Sequence, residues 1–136
     1  MIGNLPKEIN EAFIETIPIE FSIIDKNDKV LAWNKHETRI FKRPEAVVGR
    51  SVQNCHPKKS LAKVEQILSQ MKDGKREKAT FWIDLKIGED QNKHKVMIQY
   101  LALRNKKGQY IGCLEASQDI TEIQKLTGEK RLIDWG

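Results

Sequence analysis

The sequence predicts an α+β domain, a five-stranded antiparallel sheet with helices packed on one face and a flanking helix at each end. Three observations predict it. Three long segments in the second half alternate apolar and polar residues with the period of a strand. One segment before them carries apolar residues at helical spacing. The chain has 136 residues, enough for one domain with a sizeable core but short for two.

Residues 5–17 read as a helix: Pro6 suits a first turn, and Ile9, Ala12, Phe13 and Ile17 share a face. Pro18 ends it. Residues 21–25 and 30–34 read as a hairpin across the polar turn Lys26-Asn27-Asp28-Lys29. Asn34 is placed to cap a short helix over 35–41, and Pro44 opens another helical turn that Gly49 stops. Ser60 is the expected cap of the main helix, 61–71, whose stripe is Leu61, Val64, Ile67, Leu68 and Met71.

The sheet segments follow. In 79–87, Ala79, Phe81, Ile83, Leu85 and Ile87 share a face. In 94–104, Val96, Ile98 and Tyr100 do the same, and Gly108 suits the turn that follows. In 110–117, Tyr110, Gly112, Leu114 and Ala116 alternate against Ile111, Cys113, Glu115 and Ser117. There the pattern switches. Asp119 is a good helix N-cap, Glu122 stands where a capping-box glutamate would, and Ile123 and Leu126 begin an apolar stripe expected to run to about Trp135. The expected organisation is a flanking helix over 1–18, the domain over 19–121 and a C-terminal helix over 122–136.

Composition narrows the function. Hydrophobic residues are 39% and charged residues 32%, the balance of a globular domain with a charged surface. No apolar run approaches the roughly 20 residues a membrane helix needs, and the N-terminus lacks a signal-peptide pattern. The expected location is the cytoplasm, with Cys55 and Cys113 reduced. Net charge is +5, from 24 basic and 19 acidic residues. The excess is scattered over expected turns and helix ends, without interleaved aromatics, so nucleic acid is not an expected partner. No nucleophile-elbow, phosphate-loop or histidine-dyad pattern is present, and no enzyme activity is expected.

The order Ile23-Ile-Asp-Lys-Asn-Asp-Lys-Val-Leu-Ala-Trp-Asn34, Ala46-Val-Val-Gly-Arg50 and Asp119-Ile-Thr121 resembles a PAS domain. The stretch 48–60, Phe81-Trp82 and the stretch 129–135 further resemble the C-terminal PAS domain of bacterial and archaeal proteins that carry a hemerythrin-like domain. None of that domain's di-iron ligands is carried here. The resemblance implies a sensory and interaction module, with a pocket between sheet and helices and flanking helices that dimerise and relay state. It makes Asp119, Thr121 and Glu122 the coupling residues at the strand-to-helix joint.

Candidate pocket residues are His56, Cys55, Trp33, Met97 and Tyr100. His56 could ligate haem. A turn-bonded histidine pinned by Pro57, beside a small buried Cys55, is the preferred reading. Trp33, Met97 and Tyr100 read first as core or dimer packing. Asn54-Cys55 superficially matches the flavin-binding branch, but His-Pro-Lys follows the cysteine, which argues against a flavin adduct. His36 and His94 lie in polar contexts and read as solvent-facing. A homodimer through the flanking helices, with Ile9, Phe13 and Ile17 as the contact, is the expected assembly.

Overall fold

The computed structural model describes residues 1–52 and 56–135. Helix α1 is Lys7–Thr16, and strands β1, Glu20–Asp25, and β2, Val30–Trp33, form the hairpin. A 3-10 turn, Glu45–Val47, precedes helix α2, Lys58–Lys72. Strands β3, Lys78–Ile87, β4, Asn92–Arg104, and β5, Tyr110–Asp119, complete one antiparallel sheet in the order β2-β1-β5-β4-β3. The α+β expectation therefore holds, and the last strand sits in the middle of the sheet.

Side-chain alternation sorts the sheet into two faces. Val96, Ile98 and Tyr100 of β4 are buried under the helical side, with Cys113 of β5 and Ile24 of β1. Val64, Leu68 and Met71 of α2 pack into one core cluster with Ile24, Tyr100 and Cys113, and Met71 is fully buried. Met97, Gln99, Leu101 and Leu103 point to the opposite face and are half-buried.

Several local expectations are corrected. Ser60 does not cap α2; the helix begins at Lys58 behind Pro57, and the Ser60 hydroxyl donates to the Pro57 carbonyl. Pro at that position fixes an extended φ without needing an N–H donor. The helix expected over 35–41 is absent. Lys35 takes a left-handed φ of 55°, and the amides of Ile40 and Phe41 donate to the Glu20 carboxylate instead of to helical carbonyls. Asn34 is not a helix cap but a tertiary clamp with no exposure. Its Oδ1 accepts from the Phe21 amide, and its Nδ2 donates to the Ile14 and Ile19 carbonyls, so one side chain ties α1 to the hairpin.

The C-terminal helix expected over 122–136 is also absent among the described residues. The segment carries only two 3-10 turns, Ile123–Lys125 and Leu132–Asp134. Leu126 is 77% exposed with no surface beneath it, and Gly128 takes a positive φ that breaks the run. A helix this short needs a packed face to persist. Glu122 makes no capping box; its carboxylate meets Lys125.

Gly112 is required where β5 crosses β1. A Cβ there would lie inside contact distance of the Ile24 carbonyl oxygen, a backbone atom that cannot swing away. Gly112→Ala should lower stability by about 1–3 kcal/mol, the range for overpacking. Urea denaturation checks this, and an unchanged midpoint would contradict the close approach.

Candidate functional site

The main cavity lies between the helical face of the sheet and the segment from Phe41 to Ile67, with a volume of about 940 Å³. That is at the upper end of the usual range for small-molecule sites. Val64 and Ile67 of α2 and Phe81, Ile83 and Ile98 of the sheet form its apolar wall. Phe81 and Tyr100 stack at an angle, with ring centroids 5.6 Å apart.

The base of the cavity is polar. Cross-strand register aligns Ser22, Glu115 and Tyr100 in one row, because Ser22 pairs with Glu115 and Glu115 with Tyr100. Glu115 receives Arg43 Nη2 at 3.3 Å and the Tyr100 hydroxyl at 3.5 Å. The side chains of Arg43, His56 and Glu115 are only 11%, 12% and 14% exposed. His56 Nδ1 lies 3.0 Å from the Val52 carbonyl. A carbonyl can only accept, so Nδ1 carries the proton. Nε2 lies 3.3 Å from the Tyr100 hydroxyl and 3.9 Å from Glu115 Oε1, so the single hydroxyl proton of Tyr100 stands between Nε2 and the Glu115 carboxylate and serves one of them at a time. Burial, then the Glu115 charge, pushes the Tyr100 hydroxyl well above its usual value, so it stays a donor.

These contacts are longer than the 2.7–2.9 Å typical of charge-assisted bonds. The Arg43 Nε is buried and has no hydrogen-bond partner. The base is thus a slack cluster with donor capacity left over.

One buried ion pair holds the cavity's outer wall. Arg39 and Glu20 approach to 3.5 Å with side chains 2% and 4% exposed. Arg39 donates to the carbonyls of Phe21, Asn34 and Phe41 and to the Ser22 hydroxyl. Glu20 accepts the Ile40 and Phe41 amides. Desolvation lowers the Arg39 pKa from its usual value and the Glu20 charge opposes it. The chain has no regular structure here, so these bonds seat Phe41, Lys42 and Arg43 at the cavity.

Of the candidates from sequence, His56 and Tyr100 line the cavity together. Cys55 lies outside the described residues. Trp33 is half-buried and borders a separate shallow depression with Leu31, His36 and Val48. Met97 is on the far face of the sheet. Arg43, Glu115, Arg39 and Glu20 were missed. The available signal was Glu115, a lone carboxylate among small and apolar strand residues.

The joint after β5 differs from the expected cap. Asp119 Oδ1 accepts the Thr121 amide at 3.0 Å and the Thr121 hydroxyl at 2.6 Å. Thr121 Oγ1 in turn accepts the Lys95 amide of β4. His94 is not solvent-facing; its Nδ1 meets Asp119 Oδ2 at 2.5 Å. The joint is therefore locked to β4 rather than to a following helix. Partial burial opposes the charge of Asp119, but the bonds from Thr121 and His94 prevail and hold the carboxyl below its usual value.

The profile of the PAS domain family matches residues 11–121. The chain belongs to the PAS family, whose domains are typically sensory or regulatory rather than catalytic. It is similar to a solved C-terminal domain from Streptococcus mutans, with 29% identity and a TM-score of 0.81, over 93% of this chain and 94% of that one. It shares its fold with a PAS domain from Colwellia psychrerythraea, at 15% identity and a TM-score of 0.60, over 85% and 97% of the two chains. The PAS domain of BvgS from Bordetella pertussis gives 18% identity and a TM-score of 0.60, over 87% and 88%. Among curated proteins none matches. No helix among the described residues is long and apolar enough to cross a membrane.

A depressed folded-state pKa means Asp119 stabilises the fold above the ordinary value of 3.8 and loses that contribution as pH falls below it. Asp119→Asn should flatten the fall in stability below about pH 4 and destabilise the protein at neutral pH. Urea midpoints across acid pH check both, and parallel curves for the two proteins would contradict the assignment.

Proposed function

We propose that this chain is a sensory or regulatory module that binds a small ligand in the cavity and passes its state to the segments flanking the sheet. The observation that carries this is the buried Arg43–Glu115–Tyr100–His56 cluster opening into an apolar cavity, an arrangement that a purely structural core does not need. Glu115 and Asp119 share a face of β5, so a ligand that repositions Glu115 acts on the strand that ends in the Asp119–Thr121 joint. A ligand that prefers one arrangement of that cluster shifts the population of the joint.

The similarity to a solved C-terminal domain from Streptococcus mutans supports a place at the end of a longer protein. The haem alternative fits poorly. His56 Nε2 faces the Tyr100 hydroxyl at 3.3 Å, which leaves no room for iron between them.

Whole protein purified without added cofactor, then denatured and read by mass spectrometry, tests ligand binding. A stoichiometric small molecule should be released, and Ile67→Trp, which fills the cavity, should release none. Equal release from both proteins would contradict a site in this cavity, and a Soret band would restore the haem reading.

Dimerisation through α1 is the second reading. No residue of α1 is buried, and Ile9 and Phe13 of its apolar stripe are 55% and 50% exposed. An apolar helical stripe left uncovered matches a self-complementary contact about a two-fold axis. Sedimentation should give a dimer that Phe13→Glu converts to monomer; a wild-type monomer at high micromolar concentration would contradict it.

A further inference from the structure

We infer that the ligand is an amphipathic organic acid, a carboxylate carried on an apolar body. This rests on the ligand-binding reading above and adds the chemistry of what binds. The lining supplies both halves. The wall of Val64, Ile67, Phe81, Ile83 and Ile98 offers no hydrogen-bonding side chain, so the body of the ligand is apolar. Four basic side chains, Lys42, Arg43, Arg50 and Lys63, border the cavity against the single carboxylate of Glu115. That excess attracts an anion and disfavours an amine.

Arg43 marks where the acid sits. Its guanidinium uses Nη2 on Glu115 and leaves a buried Nε–H without an acceptor. An unmet buried donor is costly, and a planar carboxylate satisfies a guanidinium edge through paired bonds. Arg43 neutralises Glu115, and Lys42, Arg50 and Lys63 supply the further positive charge that offsets an incoming anion. The first turn of α2 adds to the attraction: Pro57 and Ser60 border the cavity, and the positive end of a helix dipole favours a negative group. Lys42 and Lys63 are exposed and border the cavity.

Calorimetry on the intact chain, cleared of any bound molecule, with decanoate, naphthoate, decanol and decylamine separates the outcomes. At least one carboxylate should bind more than about tenfold tighter than decanol, with decylamine weakest. The better of decanoate and naphthoate tells whether the body is a chain or a ring. Arg43→Gln should weaken the carboxylates far more than it weakens decanol. Lys63→Glu, at an exposed position that the fold tolerates, should weaken the carboxylate alone. Decanol binding as tightly as both carboxylates overturns the acid while leaving a ligand-binding cavity in place. Binding of the carboxylates that Ile67→Trp does not weaken overturns the cavity as the site. Failure of all four probes to bind overturns the acid, and release of a native ligand on denaturation then decides separately whether the cavity is a binding site.

Discussion

The Glu20–Arg39 pair is the contact on which the rest of the site depends. It joins the start of β1 to a loop with no helix or strand of its own. Every strong donor of the Arg39 fork and both oxygens of Glu20 find backbone or side-chain partners. Full satisfaction is what makes a buried pair tolerable, since removing one partner leaves an uncompensated charge in the interior. With the loop seated, Phe41 and Lys42 form the outer wall of the cavity, facing a wall that the sheet and α2 supply, and Arg43 reaches its polar base. The pair thus converts an irregular segment into a fixed surface, and fixed surfaces can discriminate between ligands.

The inner cluster is built on a different rule. Arg43, Glu115, Tyr100 and His56 are nearly as buried but only loosely bonded, and one donor is left over. Tight bonding at Arg39 gives shape, and slack bonding at Arg43 leaves capacity for a guest. The Asp119–Thr121–Lys95 joint returns to tight bonding further along β5. The loosely bonded cluster thus lies between two firmly bonded attachments, one on β1 and one at the end of β5.

Periodicity made most of the fold legible. The alternation of β3, β4 and β5 and the stripe of α2 depend on neighbours close in sequence, which a single chain displays. The exit helix failed for the opposite reason. Ile123 and Leu126 carry helical spacing, but spacing only forms a helix where a surface receives it, and Leu126 meets none. The site was half legible. His56 stood out as an unusual residue beside a proline, and Tyr100 fell on the core face by parity. Arg43 and Glu115 lie 72 positions apart, and nothing local announces their meeting. Asn34 looked like a cap because its chemistry suits capping; the fold uses the same donors and acceptor across α1 and β1 instead.

Amide hydrogen exchange at Ile40 and Phe41, in the native protein and in Glu20→Gln, tests the central claim most directly. The account predicts slow exchange of both amides in the native protein, although they lie outside any helix or strand. In Glu20→Gln both should become fast while amides in the middle of β4 and β5 stay protected. Fast exchange in the native protein, or unchanged protection in Glu20→Gln, would contradict the claim that this buried pair builds the cavity wall.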